Sequence, residues 1–207
     1  MSAVFTPWGY SVASLPALMT VAEFHALTAN KYADMSTDQL EAAIAAASGA
    51  VRNICGWHVT PSLECSAKLT AGDDLTGERV RIVALPATYV SGIVSVTENG
   101  TELGAGDFAA MSNGLLRRAC FKAWPNNWNA IEVDYIAGFD AEAVPDFTNA
   151  ALHVIEAALS IPTGVTSETA GGVSISYSAE ASAVASMMAQ RMAGALAPYK
   201  VVRAYAA

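Results

Sequence analysis

Residues 131–145 read "IEVDYIAGFDAEAVP". Ile131, Val133 and Tyr135 alternate with the acids Glu132 and Asp134, the period-two pattern of a strand with one face buried and the other wet. Gly138 and a short acidic loop end that pattern, and Pro145-Asp146 then opens a helix. Proline suits the first helical position, whose N–H has no intrahelical partner. No side chain at the join is reactive. The junction reads as architecture: the strand closes a β element, and the helix packs back onto a helical bundle.

Working outward, Phe147, Ala151, Val154 and Ala158 give that helix one buried face, and Pro162 ends it. Toward the N-terminus, Thr20 with Glu23 forms a capping box, and Met19 with Phe24 has the spacing of a hydrophobic staple. A short helix is predicted from there to about Ala29. Ser36 with Gln39 opens a second helix, where Leu40, Ile44, Ala47, Val51 and Ile54 make one apolar stripe ended by Gly56.

Between Trp57 and Phe139 the texture is that of strands. "VRIVALP" and "GIVSVTENGTEL" are β-rich, Asn99-Gly100 is a strong hairpin signal, and a second hairpin is predicted around Asn113-Gly114. "AWPNNWNA" (123–130) reads as an aromatic-studded loop leading into strand 131–136. Beyond Pro162 comes a Gly/Ser loop whose centre, Val173, Ile175 and Tyr177, is extended. A final Ala/Met-rich helix over 180–196 stops at Pro198.

The expected class is mainly α with a β insertion, an α+β fold: a small helical bundle plus antiparallel β-hairpins or sheet. Residues 1–18 are uncharged and form an extended N-terminal arm, packed on the chain's own body or on a neighbouring subunit. A single domain is expected over 19–200, with helices in 19–56 and 145–197 and the β insertion at 57–139. Residues 198–207 form a C-terminal tail.

Composition narrows the function. Of 207 residues 53% are apolar, enough for a core, and 11 basic against 19 acidic residues give a net charge of −8. An acidic chain does not grip DNA or anionic membranes by bulk attraction. No run of about 18 apolar residues suggests a membrane span. Cys55, Cys65 and Cys120 are scattered, without a Cys-x-x-Cys, and read as buried thiols of a reducing compartment. The first Lys or Arg is Lys31, so no positive leader region is seen and a cytoplasmic site of synthesis and use is expected.

Catalytic and ligand-binding patterns are sparse. His25, His58 and His153 lack metal-ligand spacing, and the glycines make no phosphate loop. "AGDDLTGERV" (71–80) lacks the alternating ligands of a calcium loop and reads as a turn. Cys55 and His58 lie three residues apart, the weak basis for a Cys/His hydrolase. Arg117-Arg118 with Lys122 forms a small basic patch, read as a solvated strand face. No catalytic residue, cofactor or metal is assigned.

The order of elements resembles the head–tail connector, or head-completion adaptor, proteins of tailed bacteriophages. The resemblance covers about 20–200. It rests on the helical region 20–56, on "VDYIAGF" (133–139), on Val144-Pro145-Asp146, on "VTSETAGGVSISYS" (165–178) and on "LAPYK" (196–200). It implies a non-enzymatic virion protein, assembled in the host bacterium's cytoplasm. Many copies, commonly twelve, would form a ring below the portal, extend the channel for double-stranded DNA and dock the next neck or tail protein. The uncharged arm and the long β insertion depart from the family pattern. A different neck protein, a stopper or tail terminator, is the main alternative; those are dominated by strands. An unrelated soluble interaction domain is a further reading.

Two segments are candidate partner contacts. After the helix stop, Tyr199, Lys200, Val201, Val202, Arg203 and Tyr205 alternate apolar and basic groups, suited to a partner's strand edge or a slot between portal subunits, or else to a frayed terminus. Val173, Ile175 and Tyr177 in the loop 163–178 form the other, a loop expected to order on assembly.

Overall fold

The computed structural model describes residues 4–71, 80–160, 167–170, 173–176 and 181–201. In chain order, its N-terminal elements are strands β1 (Val4–Phe5) and β2 (Tyr10–Val12) and helices α1 (Val21–Leu27) and α2 (Thr37–Cys55). Next come strands β3 (Leu63–Leu69), β4 (Ile82–Ala84), β5 (Val90–Glu98), β6 (Thr101–Glu102), β7 (Phe108–Ala110), β8 (Leu115–Arg118) and β9 (Ile131–Ala137). Helix α3 (Pro145–Leu159), strands β10 (Ser167–Ala170) and β11 (Val173–Ser176), and helices α4 (Ala181–Arg191) and α5 (Ala193–Leu196) complete an α+β fold. The expected turn at 71–80 lies almost wholly outside the described residues.

The sequence shows no seam inside 19–200, yet the chain folds as two interleaved units. One is drawn from Met1–Leu15, Gly56–Ala143 and Tyr199–Ala207, the other from Pro16–Cys55 and Val144–Pro198.

The first unit is built on an antiparallel sheet of order β1-β2-β3-β9-β5-β6. β9 sits inside it, with Val133 opposite Ala67 on β3 and Val96 on β5, and Tyr135 opposite Cys65 and Ile93. Ile131, Val133, Tyr135 and Ala137 are buried, as the alternation predicts, while Glu132 pairs with Lys68 on the wet face at 2.6 Å. The uncharged arm supplies β1 and β2: Tyr10 and Val12 are buried and pair with Ala67 and Cys65. Asn99 and Gly100 both have positive φ, +50° and +76°, which makes the β5–β6 connection the expected tight hairpin. The second hairpin also forms, as part of a sheet of order β4-β8-β7.

Arg118 on β8 corrects the reading of a solvated basic face. Its side chain is 7% exposed, donates to Glu98 Oε2 and to the Asp107 carbonyl at 2.6 Å each, and lies over the Trp124 ring. Arg117 beside it and Lys122 do face solvent.

The second unit is helical. Both caps form reciprocally: Thr20 N–H donates to Glu23 Oε2 at 2.6 Å and Glu23 N–H to Thr20 Oγ1 at 3.2 Å, with Ser36 and Gln39 repeating the exchange. Leu40, Ile44, Ala47 and Val51 bury the stripe of α2, and Phe147, Ala151, Val154 and Ala158 bury that of α3. These faces pack with α4, which contributes Ala185 and Ala189. Small side chains let the helices approach closely, so alanine's modest buried area is offset by dense contact. Lys31 and Tyr32, between α1 and α2, bond Glu156 on α3 at 3.2 and 3.0 Å. Among the described residues no helix is long and apolar enough to cross a membrane.

Candidate assembly surface

Gly138 explains the abrupt end of the opening stretch. Its φ is +112°, and a Cβ there would overlap the Pro61 carbonyl oxygen and come within 2.8 Å of His58 Nε2. Only glycine takes that turn without strain. It delivers Phe139 into an aromatic group of the first unit: the ring stacks on Tyr89 at 4.5 Å and meets Trp57 and Tyr199 edge-on at 6.1 and 6.0 Å. Trp57 Nε1 donates to the Tyr199 carbonyl oxygen at 2.6 Å. The tail therefore leaves from a fixed point, with Lys200 exposed and Val201 half-buried.

The remaining tail candidates, Val202, Arg203 and Tyr205, lie outside the described residues, as does Tyr177. Val173 and Ile175 lie on β11, whose partner β10 makes this part of the expected loop a hairpin: Val173 faces Ala170, and Ile175 faces Glu168. The two candidate segments fall in different units.

The two residues of the Cys/His hydrolase reading, Cys55 and His58, are both buried. His58 is fully buried; its Nδ1 pairs with the Tyr10 hydroxyl at 2.8 Å and its Nε2 with the Ala137 carbonyl at 2.9 Å. With both ring nitrogens engaged it offers no free base to solvent. Burial pushes the Cys65 thiol up to about 12, and Cys55 is buried as well. Cys120 departs from the buried-thiol expectation: it is exposed. Among the described residues no group of three or more His, Cys, Asp or Glu side chains could hold a metal.

One surface feature escaped the sequence reading. Lys122 N–H closes a turn onto the Ala119 carbonyl at 3.1 Å, and the two residues between, Cys120 and Phe121, have φ of +54° and +58°. This is the backbone of the Asn-Gly hairpin turn without Asn or Gly, at a cost of about 1–3 kcal/mol for each residue. Phe121, 77% exposed, projects from the turn with the exposed Arg81 guanidinium 5.7 Å from its ring centroid. The strained turn thus holds an aromatic ring in water, where it buries little surface for folding.

No family model matches the chain, and no curated protein matches it. Solved structures do. A chain in the neck of an empty gene transfer agent particle, computed with C6 symmetry, superposes with a TM-score of 0.59 at 18% identity, over 95% of this chain and 96% of that one. A chain in the neck of the native particle, computed with C12 symmetry, gives 0.51 at 19% identity over 100% and 97%. A third, in the virion of the native particle, gives 0.55 at 17% identity over 96% and 98%.

This chain shares its fold with components of gene-transfer-agent necks. The shared fold spans nearly the whole length on both sides, so it takes in the helical unit and the β unit together. The uncharged arm and the long β region, departures from the compact adaptor pattern, belong to it as well.

Proposed function

We propose that this protein is a structural subunit of the neck of a tailed, phage-like particle, and more specifically a head–tail connector adaptor. Twelve copies form a ring below the portal, assembled in the bacterial cytoplasm and retained in the virion. The ring extends the DNA channel and presents a docking surface to the next neck or tail protein. The observation that carries this reading is the full-length fold likeness to chains from particle necks computed with C6 and C12 symmetry.

The chain's physical character agrees with that role. A net charge of −8 suits a wall past which DNA slides, because phosphates are repelled rather than held. The committed state of His58 argues for scaffold over catalyst. The tail, leaving from the Trp57–Tyr199 anchor through Lys200 and Val201 into 202–205, is the segment we assign to the portal. The segment 163–178, with Val173, Ile175 and Tyr177, is assigned to the downstream partner.

Negative-stain imaging of the purified protein mixed with capsids that carry a portal but no neck tests the proposal. Rings seated at the portal vertex are the expected result. A protein that never associates with those capsids overturns the adaptor assignment.

A further inference from the structure

The second unit contains a groove of about 550 Å³ between the segment 16–22 and α2. Leu18 N–H donates to Ser48 Oγ at 3.0 Å, and Ser48 Oγ donates to the Ile44 carbonyl at 2.6 Å, so this segment is pinned along the helix. Pro16, Ala17, Met19, Val21, Ala22 and Ile44 give the groove an apolar lining, with Thr20 at its side. Glu41 is the only charged residue among those that line it. Among the described residues Glu41 has no cationic partner, and Arg81 has no carboxylate partner.

The first unit carries the complementary shape and charge. Phe121 stands out of its strained turn with the Arg81 guanidinium beside its ring. Lys122 and Arg117 are exposed nearby in the chain. An apolar knob escorted by a cation matches an apolar groove that holds one acid. We infer that the Phe121–Arg81 knob of one copy seats in the groove of the next copy, with Arg81 against Glu41. The partner is a second copy of this chain, since an otherwise acidic protein offers both halves of the contact.

The sign of the charges disfavours a two-fold contact of knob on knob, which would set Arg81 against Arg81. Knob into groove repeated head-to-tail closes into a ring, whereas the same contact exchanged reciprocally about a two-fold axis stops at a dimer. This inference rests on the ring reading above and names the surface that builds it.

Charge reversal decides it. Arg81→Glu, Glu41→Arg and the double variant are compared with wild type by analytical ultracentrifugation and by decoration of neckless capsids. All three carry substitutions at exposed positions, and an unchanged circular dichroism melt checks that they fold. Each single reversal is expected to lower the ring fraction at least tenfold, and the double variant to restore it. Phe121→Ser is expected to lower it without rescue. Rings that survive both single reversals overturn this interface and leave the neck assignment standing. So do intact rings that no longer seat on capsids, which would assign the knob to another neck protein. A wild-type chain that forms no ring in solution or on capsids overturns both.

Discussion

Trp57 and Tyr199 meet through one hydrogen bond, indole N–H to main-chain carbonyl at 2.6 Å, across a sequence separation of 142 residues. Trp57 is fully buried and Tyr199 half-buried, so the bond ties the tail to the core and sets where it leaves the first unit. Trp57→Phe keeps a ring in the core but removes the donor. A loss of about 1–3 kcal/mol is expected, for the lost hydrogen bond and a partly emptied site. Urea unfolding measures it, and faster cleavage of the tail by a protease checks that the anchor is what was lost.

Two tyrosines of the first unit give opposite results when changed to phenylalanine. The Tyr10 hydroxyl bonds His58 Nδ1 and accepts from the His58 N–H at 3.0 Å. Tyr10→Phe removes both bonds, at an expected cost of about 1–3 kcal/mol. The Tyr135 hydroxyl is buried without a hydrogen-bond partner, and burial raises its pKa well above the ordinary value. Tyr135→Phe removes an unsatisfied group and is expected to be neutral or stabilising by up to about 1 kcal/mol. A loss of stability on Tyr135→Phe comparable with that on Tyr10→Phe would contradict this account.

Gly138→Ala combines a left-handed backbone with a clash against a main-chain oxygen that cannot move away cheaply. The expected destabilisation is about 3 kcal/mol or more. Because the turn also delivers Phe139, the protease sensitivity of the tail should rise in parallel.

Thiol reactivity should single out Cys120. It is exposed, whereas Cys55 and Cys65 are buried, and the Cys65 thiol, pushed up to about 12, carries almost no thiolate at neutral pH. Titration of the native protein with a thiol reagent is expected to modify one cysteine quickly and the other two only on unfolding. Three equally fast thiols would mean that the sheet does not close over Cys65.

Glu156 gives a small acid dependence to the helical unit. Burial alone would raise its pKa, but bonds from Lys31 and Tyr32 outweigh it and hold the carboxyl below its ordinary value of 4.5. A carboxylate with a depressed folded pKa stabilises above its unfolded value, and that contribution fades as pH falls through the folded value. Glu156 is half-buried but its partner Lys31 is exposed and the pair is screened by water, so the expected effect is less than about 1 kcal/mol. Glu156→Gln should lower stability slightly at pH 7, and the difference from wild type should shrink as pH falls through and below the ordinary carboxylate range, read by urea unfolding across that range.

Local chemistry was legible in the sequence where it acts over a few residues. The two capping boxes, the Asn99-Gly100 turn, the buried stripe of α2 and the alternation of β9 all follow from spacings of two to four positions. Non-local pairing was not. Nothing in "YSV" marks β2 as a sheet strand, because its partner β3 begins more than 50 residues later. Arg118 reads like any strand-surface arginine until Glu98 and Trp124 close around it. The Phe121 turn was invisible for a different reason: Cys and Phe carry no preference for the left-handed region, so its strain belongs to the tertiary structure alone.

The interleaving of the two units also sets a timetable for synthesis. Helix α2 ends at Cys55, but α3, which covers its apolar stripe, begins only at Pro145, and α4 only at Ala181. At about 5–20 residues per second the ribosome leaves that stripe uncovered for roughly 5–18 s before α3 even starts to emerge. The intervening strands complete most of their own sheet during that wait. The helical unit, which carries the groove, cannot close until α4 has emerged near the end of synthesis, so a nascent chain cannot receive a neighbour's knob before its own translation is almost over.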